Sequence, residues 1–388
     1  MGRLAPGLSR CVAAVENRVK RIVICADGTW NYRDQQDDKT HLRHATNVTK
    51  LARGVLTRSR AGIDQVVIYH DGVGTQSGLE HLTGGATGEG IEGNIRDLYR
   101  SIAYNYADGD ELYFFGFSRG AYTVRTLAGF MYHFGLVQKP DDFFVPDLFS
   151  EYELRKGLAE VRADPKFKNL HDLRPCPPIK FLGVWDTVGA LGLPGPLGTI
   201  LNGSRFAYHD IELNPTIQNA FHALAIDEQR VPFKPSLWTR PPGWSGHLEQ
   251  TWFCGVHCNV GGGYSPDGLA NEALQWLIEK AEGLELELDR GYLNHFSPCF
   301  NSNLNDSMTT MYRLLGHYVR PIGLQRADGE QIHQSVIDRV KLQSVNYAPP
   351  NLTANLIDGP QALPIVNTTR IARGTPCAPM EERPTPPR

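Results

Sequence analysis

No stretch of this 388-residue chain is long and apolar enough to cross a bilayer, so no membrane-spanning helix is expected. A surplus of one charge is also missing: 39 Lys and Arg stand against 42 Asp and Glu, a net charge of −3, which leaves no electrostatic basis for binding nucleic acid. Cysteine is sparse and odd in number, seven thiols scattered without metal-ligand spacing, which excludes a disulfide framework and favours a reducing compartment. Cys254 and Cys258 flank His257, but a strand end is a poor frame for zinc, and neither metal nor cofactor is expected. The first twenty residues lack a secretory apolar core, and Glu16 argues against a mitochondrial presequence, so a cytoplasmic location is expected. The Gly-rich turns at 27–29 and 84–88 lack the Gly-Lys-Ser/Thr ending of a phosphate-binding loop, which argues against a nucleotide site.

What is present is a parallel α/β rhythm. Hydrophobic residues make up 41% of the chain, enough for a large core. Apolar runs at 21–25, 66–69, 112–115, 179–185 and 251–256 read as buried strands. Between them lie helical stretches at about 47–56 and 91–106, the second with apolar residues at 91, 95, 98, 99, 102 and 103, spaced for one buried face. A helix at 121–134 follows the third strand. Such a pattern predicts a mostly parallel sheet with helices on both faces and ligands at the carboxyl ends of its strands.

The third strand runs into Gly116-Phe117-Ser118-Arg119-Gly120 and then into a helix. A strand that turns sharply into a helix through Gly-x-Ser-x-Gly presents its serine, strained, at the helix N-terminus, which makes Ser118 the candidate nucleophile. A serine needs a base and the base an orienting acid, in the chain order Ser, acid, His. Asp186 stands at the end of the fourth strand and His257 at the end of the fifth, on the same sheet edge as Ser118. Asp227 is the rival acid, in a segment that reads as a helix end, and His222 and His333 are rival bases. The oxyanion that develops during acyl transfer needs donors: the Arg119 amide, and one from the turn after the first strand, where Gly28 lets the chain bend and Thr29 is the expected donor.

These residues carry a resemblance. Ala26-Asp27-Gly28-Thr29-Trp30-Asn31, His70-Asp71-Gly72-Val73-Gly74, Gly116-Phe117-Ser118-Arg119-Gly120-Ala121, Val184-Trp185-Asp186-Thr187-Val188 and His257 with Val260-Gly261-Gly262-Gly263-Tyr264 resemble the alpha/beta-hydrolase family that includes the catalytic domain of class-one type VI secretion phospholipase effectors. The match runs from about residue 21 to 352. It implies an alpha/beta-hydrolase-like fold and a serine hydrolase with Ser118, Asp186 and His257 as its triad. It also implies a lipid or phospholipid acyl ester as substrate, with peripheral membrane contact. One departure is His257-Cys258-Asn259, where the family reads His-Ser-Asp, so a carboxylate beside the base is missing. The alternative is a non-catalytic member that uses the same sheet edge to bind a ligand or partner. Neither acyl chain, head group nor oligomeric state is specified.

The expected organisation is an N-terminal extension at 1–20, one hydrolase domain at 21–360 with insertions at about 139–178 and 189–244, and a Pro-rich, disordered tail at 361–388. The two insertions are the candidates for a lid over the site, the alternative being that their aromatics, Phe206, Tyr208, Trp238 and Trp244, pack on the core.

Overall fold

The structure is a computed structural model, and it describes residues 18–28, 44–72, 88–188, 212–323, 328–369 and 377. Continuous apolar runs favour strands buried on both faces, and the chain forms eight of them among the described residues. They are β1 (Lys20–Ala26), β2 (Asp64–His70), β3 (Glu111–Phe117), β4 (Ile179–Trp185), β5 (Asn219–Ala225), β6 (His247–Phe253), β7 (Glu330–His333) and β8 (Ile365–Val366). All pair in parallel, in the order β2-β1-β3-β4-β5-β6-β7-β8. The chain steps outward from β1 to β2, returns across β1 to β3 and then advances strand by strand. The connections therefore diverge between β1 and β3, which opens a crevice at the carboxyl end of β3.

Alternate residues of β1 and β3 feed two separate cores. Ile22 and Ile24 of β1 and Leu112 and Phe114 of β3 pack under α2 (Gly88–Asn105) and α3 (Arg119–Phe134), with Ile95, Leu98, Val124 and Leu127 buried between them. Val23, Tyr113, Phe115 and Phe117 face the other way, against Val48 and Leu51 of α1 (Asn47–Gly54) and Leu274 and Leu277 of the later helix Gly268–Gly283. Both faces are thus covered, as a parallel sheet requires. Among the described residues no helix is long and apolar enough to cross a membrane.

Three expectations are corrected. The segment around 221–226 is strand β5, not a helix end: its Ala- and Leu-rich sequence favours a helix locally, but burial between β4 and β6 decides the outcome. The ordered fold runs past residue 360, because Ile365 and Val366 pair with Ile332 and His333. Residues 139–178 are no lid over the serine. Their helices α4 (Val145–Glu153) and α5 (Leu158–Ala163) lie at the far end of α3 from Ser118, where Phe149 and Tyr152 pack on Phe130 at ring distances of 5.3 and 5.5 Å. In the second insertion Trp238 and Trp244 are buried, with the Trp244 indole donating to the Ile217 carbonyl at 3.0 Å, while Phe206 and Tyr208 lie outside the described residues.

Candidate active site

Ser118 stands between β3 and α3, as the N-cap of the helix, with φ 57° and ψ −121°, a strained conformation for a residue bearing a Cβ. Its amide donates to the Trp185 carbonyl at 3.1 Å, tying the turn to the end of β4, and its hydroxyl makes no capping bond to the helix. Two glycines make the turn possible by close approach. A Cβ on Gly120 would lie 2.1 Å from the Ala26 carbonyl oxygen, and one on Gly116 2.6 Å from the Ala121 Cα. The strand-to-helix crossing is therefore tight enough to exclude any side chain.

Asp186 follows β4, also with positive φ (39°), and is completely buried. Oδ2 accepts from His257 Nδ1 at 2.6 Å. A guanidinium grips the other side: Arg320 Nη1 donates to Oδ1 at 2.6 Å and Nη2 to Oδ2 at 3.0 Å, and the Ala225 amide donates to Oδ1 at 2.9 Å. Burial works against ionisation here, but the Arg320 charge and the His257 hydrogen bond outweigh it and hold the carboxyl well below the usual range. An ionised Asp186 fixes the tautomer of His257: Nδ1 carries the proton and Nε2 is left as an acceptor.

His257 opens the short helix α6 (His257–Gly261) directly after the β6 turn and is buried. Its ring lies 4.7 Å from that of Phe117, the neighbour of Ser118, and 4.9 Å from that of Phe233. Gly261 lets α6 approach so closely, since a Cβ there would sit 1.9 Å from the Phe117 ring. Burial lowers the His257 pKa; Asp186 opposes this and the Arg230 charge reinforces it. The His257 amide donates to Glu228 Oε2 at 3.1 Å, and Arg230 returns a two-pronged pair to the same carboxylate at 2.8 and 2.9 Å. Among the described residues the His257 ring bonds Asp186 and makes no hydrogen bond to the Ser118 hydroxyl.

Of the expected oxyanion residues, Arg119 is the first residue of α3 and half-buried. The Gly28 amide is engaged, donating to Asp27 Oδ1 at 2.7 Å, and Thr29 lies outside the described residues. The rivals are otherwise employed. Asp227 Oδ2 accepts from the Gly255 amide at 2.6 Å and the Tyr347 hydroxyl at 2.9 Å, clasping the turns after β5 and β6 together. His222 accepts from the Thr187 amide at 3.1 Å, and burial pushes its pKa down to about 3, so it is a neutral core residue. His333 bonds Ser335 Oγ at 2.8 Å and Thr368 Oγ1 at 3.0 Å. Arg320 went unseen in the sequence: it lies 134 positions from Asp186 in a stretch without periodicity or motif.

A parallel sheet with helices on both faces, a sharp strand-serine-helix turn, an acid after the next strand and a histidine beyond it define an alpha/beta-hydrolase-like domain. Within that class, the chain belongs to the family "T6SS, Phospholipase effector Tle1-like, catalytic domain", whose model matches residues 20–280. It is 25% identical over 244 residues to the uncharacterized protein YEL023C of Saccharomyces cerevisiae, a match covering 58% of this chain and 33% of that protein. The chain thus spans about a third of the length of its curated relative. Among solved structures, an uncharacterized protein from Pseudomonas aeruginosa is similar over 73% of this chain and 49% of its own, at 18% identity and a TM-score of 0.44. The Tle1 effector bound to the VgrG spike of the type 6 secretion system is similar over 64% and 52%, at 20% and 0.35. The carboxylesterase Cest-2923 from Lactobacillus plantarum is similar over 70% and 90%, at 15% and 0.31.

Proposed function

We propose that this chain is a serine hydrolase that cleaves carboxylic esters, with the acyl ester of a lipid or phospholipid as substrate and Ser118, His257 and Asp186 as its catalytic triad. The observation that carries the reading is the buried 2.6 Å bond between His257 Nδ1 and Asp186, together with a serine held at φ 57° whose neighbour Phe117 packs on the His257 ring at 4.7 Å. Such a bond leaves Nε2 free to take the Ser118 proton as Oγ attacks the ester carbonyl carbon. The electron pair of the C=O bond moves onto oxygen, where the Arg119 amide is the proposed donor, with a second from Thr29; Gly28, its amide already engaged by Asp27, serves the turn. The tetrahedral intermediate collapses to acyl-Ser118 as His257 passes the proton to the departing alkoxide. Water, deprotonated by the same imidazole, then attacks the acyl carbon, and as the bond to Ser118 Oγ breaks the imidazolium returns its proton to Oγ and the acid leaves. Membership of a phospholipase effector family supports a lipid ester; peripheral contact with a membrane surface is proposed with it.

A fluorophosphonate probe tests the proposal, because it phosphonylates only an activated serine. Labelling is expected in the unaltered protein and lost in Ser118→Ala. Equal labelling of both proteins, or of neither, would exclude the mechanism. Esters of p-nitrophenol with graded chain length, assayed beside phospholipid vesicles, then rank the acyl preference.

A further inference from the structure

We infer that Arg320 is a positioning residue for this site: it aims the Asp186 carboxylate at His257 and balances its charge, so that the imidazole stays neutral and ready to accept a proton in mildly acid solution. The kinetic side of this inference rests on the hydrolase reading; the electrostatic side stands on geometry alone.

The guanidinium is completely buried, and both of its Nη atoms are engaged. Besides the two Asp186 oxygens, Nη1 donates to the Ala225 carbonyl at 2.8 Å and Nη2 to the Phe233 carbonyl at 2.7 Å. Those carbonyls belong to the end of β5 and to the segment whose Phe233 ring packs edge-on against His257. One side chain therefore bonds the acid, the neighbouring strand end and the segment whose ring packs on the base. A planar fork holds a carboxylate in one orientation, which a point charge such as an ammonium does not.

The charges around the imidazole come in opposed pairs. Asp186 at the end of β4 is matched by Arg320, and Glu228 after β5 by Arg230. The adjacent Cys258 thiol is pushed up to about 12 by burial and adds no charge. Because His257 Nδ1 and Arg320 Nη2 meet the same Asp186 oxygen, the carboxylate divides its field between them. An imidazolium in this buried, balanced setting would be a net surplus charge, so the neutral ring is favoured. In a triad without such a guanidinium the full carboxylate charge acts on the ring and favours its protonated form.

The test uses the full chain with two substitutions and two readouts. His257 is titrated by ¹H–¹⁵N NMR, its signals assigned by their loss in His257→Gln, and kcat/KM for a p-nitrophenyl ester is followed against pH. Arg320→Met removes fork and charge, and should raise both the His257 pKa and the acidic limb by about 1–3 pH units, the usual effect of a nearby charge. Arg320→Lys keeps the charge and loses the fork, so the limb should stay in place while kcat falls with little change in KM. A folded Arg320→Met with an unmoved His257 titration would overturn the inference. So would Arg320→Lys with a wild-type kcat, or one that shifts the limb as far as Arg320→Met does. If Arg320→Met does not fold, Arg320→Lys and the unaltered protein decide: a His257 that titrates at or above the ordinary histidine value in the latter would overturn the electrostatic argument. Complete inactivity of the unaltered protein on every ester would defeat the hydrolase reading while leaving the NMR comparison to judge Arg320.

Discussion

Asp27 and Asp186 stand at the carboxyl ends of β1 and β4, the two strands that flank β3, and both are buried, yet they are held in opposite ways. Asp186 faces a guanidinium and an imidazole. Among the described residues Asp27 faces only neutral dipoles: Oδ2 accepts from the hydroxyls of Thr46 at 2.6 Å, Thr49 at 3.0 Å and Tyr69 at 2.6 Å, and Oδ1 from the Gly28 amide. Burial raises the pKa of Asp27 and the four hydrogen bonds recover only part of the loss, whereas for Asp186 a full positive charge reverses the sign. Dipoles satisfy a buried carboxyl; a cation keeps it ionised. The first arrangement suits a residue that shapes a turn, the second one that must stabilise an imidazolium.

Activity separates the two most sharply. Asp186→Asn should lower kcat by up to about 10⁴, because the amide disfavours the productive tautomer of His257 and no longer stabilises its cation, and should also lower the melting temperature, because it leaves the buried Arg320 guanidinium without its counter-charge. Asp27→Asn should cost far less, since the residue touches the reaction only through the turn it holds. Steady-state kinetics with thermal melts as a control check the ranking, and a larger loss at Asp27 would break the comparison. Asp227→Asn belongs with Asp27, as its carboxylate clasps Gly255 and Tyr347.

The two strand ends also hold the serine turn differently, β4 by the Ser118 to Trp185 hydrogen bond and β1 by bare contact with Gly120. A methyl group at 120 would meet the Ala26 and Asp27 carbonyl oxygens at 2.1 and 2.5 Å, and backbone on both sides cannot retreat. Gly120→Ala should therefore destabilise by about 3 kcal/mol or more, at the upper end for overpacking. Denaturant unfolding measures it, and a variant as stable as the unaltered protein would mean that β1 and α3 separate readily.

How much of this was legible beforehand follows from where the information lies. The serine turn, Asp186 and His257 were readable because each sits beside a strand whose apolar run announces itself, and strand ends in a parallel sheet converge on one edge. Arg320 was invisible for the converse reason: it reaches the site from a loop, and only tertiary packing brings it to Asp186. Strand β5 was misread because Ala-Phe-His-Ala-Leu-Ala carries little β preference, and its identity comes from the neighbours that bury it. The short β7 and β8 were missed for a similar reason, since four and two residues give too brief a pattern to register a period.

Stability against pH sharpens the comparison further. A carboxyl whose folded pKa is raised contributes stability that is fully present below its unfolded value, near 4, and is lost as pH rises through the folded value; that is Asp27. One whose folded pKa is lowered contributes stability present above that unfolded value and lost as pH falls through the folded one; that is Asp186. The Asp27→Asn variant, which does not titrate, should be less stable than the unaltered protein by about 1–3 kcal/mol in acid, where it leaves hydroxyl donors poorly matched. Its deficit should shrink as pH rises. Melting temperatures of both proteins from mildly acid to neutral pH check the sign, and a deficit that widens with pH would mean that the Asp27 carboxylate is stabilised after all.

The smallest expected effect concerns Asn259, where the family's usual carboxylate is absent. Its side chain is already occupied: Oδ1 accepts from the Val256 amide at 3.3 Å and the Asn305 amide at 3.2 Å, while Nδ2 donates to Asn305 Oδ1 at 2.9 Å. An Asp here keeps both amide donors, which favour its ionised form, and turns only the bond to Asn305 Oδ1 from attraction to repulsion, a conflict that rotation of the Asn305 amide relieves. Asn259→Asp thereby adds one negative charge two residues from His257 and unbalances the paired charges around the ring. A negative charge favours the imidazolium, and in the proposed mechanism His257 must be neutral to accept the Ser118 proton, so the acidic limb of the kcat/KM profile should move to higher pH. Because the new charge is engaged by Val256 and Asn305 and does not touch the ring, the shift should be about half a unit, less than that expected on removing Arg320. A limb that stays in place, or moves to lower pH, in a variant of normal melting temperature would show that the base responds to the Asp186–Arg320 pair and not to this position.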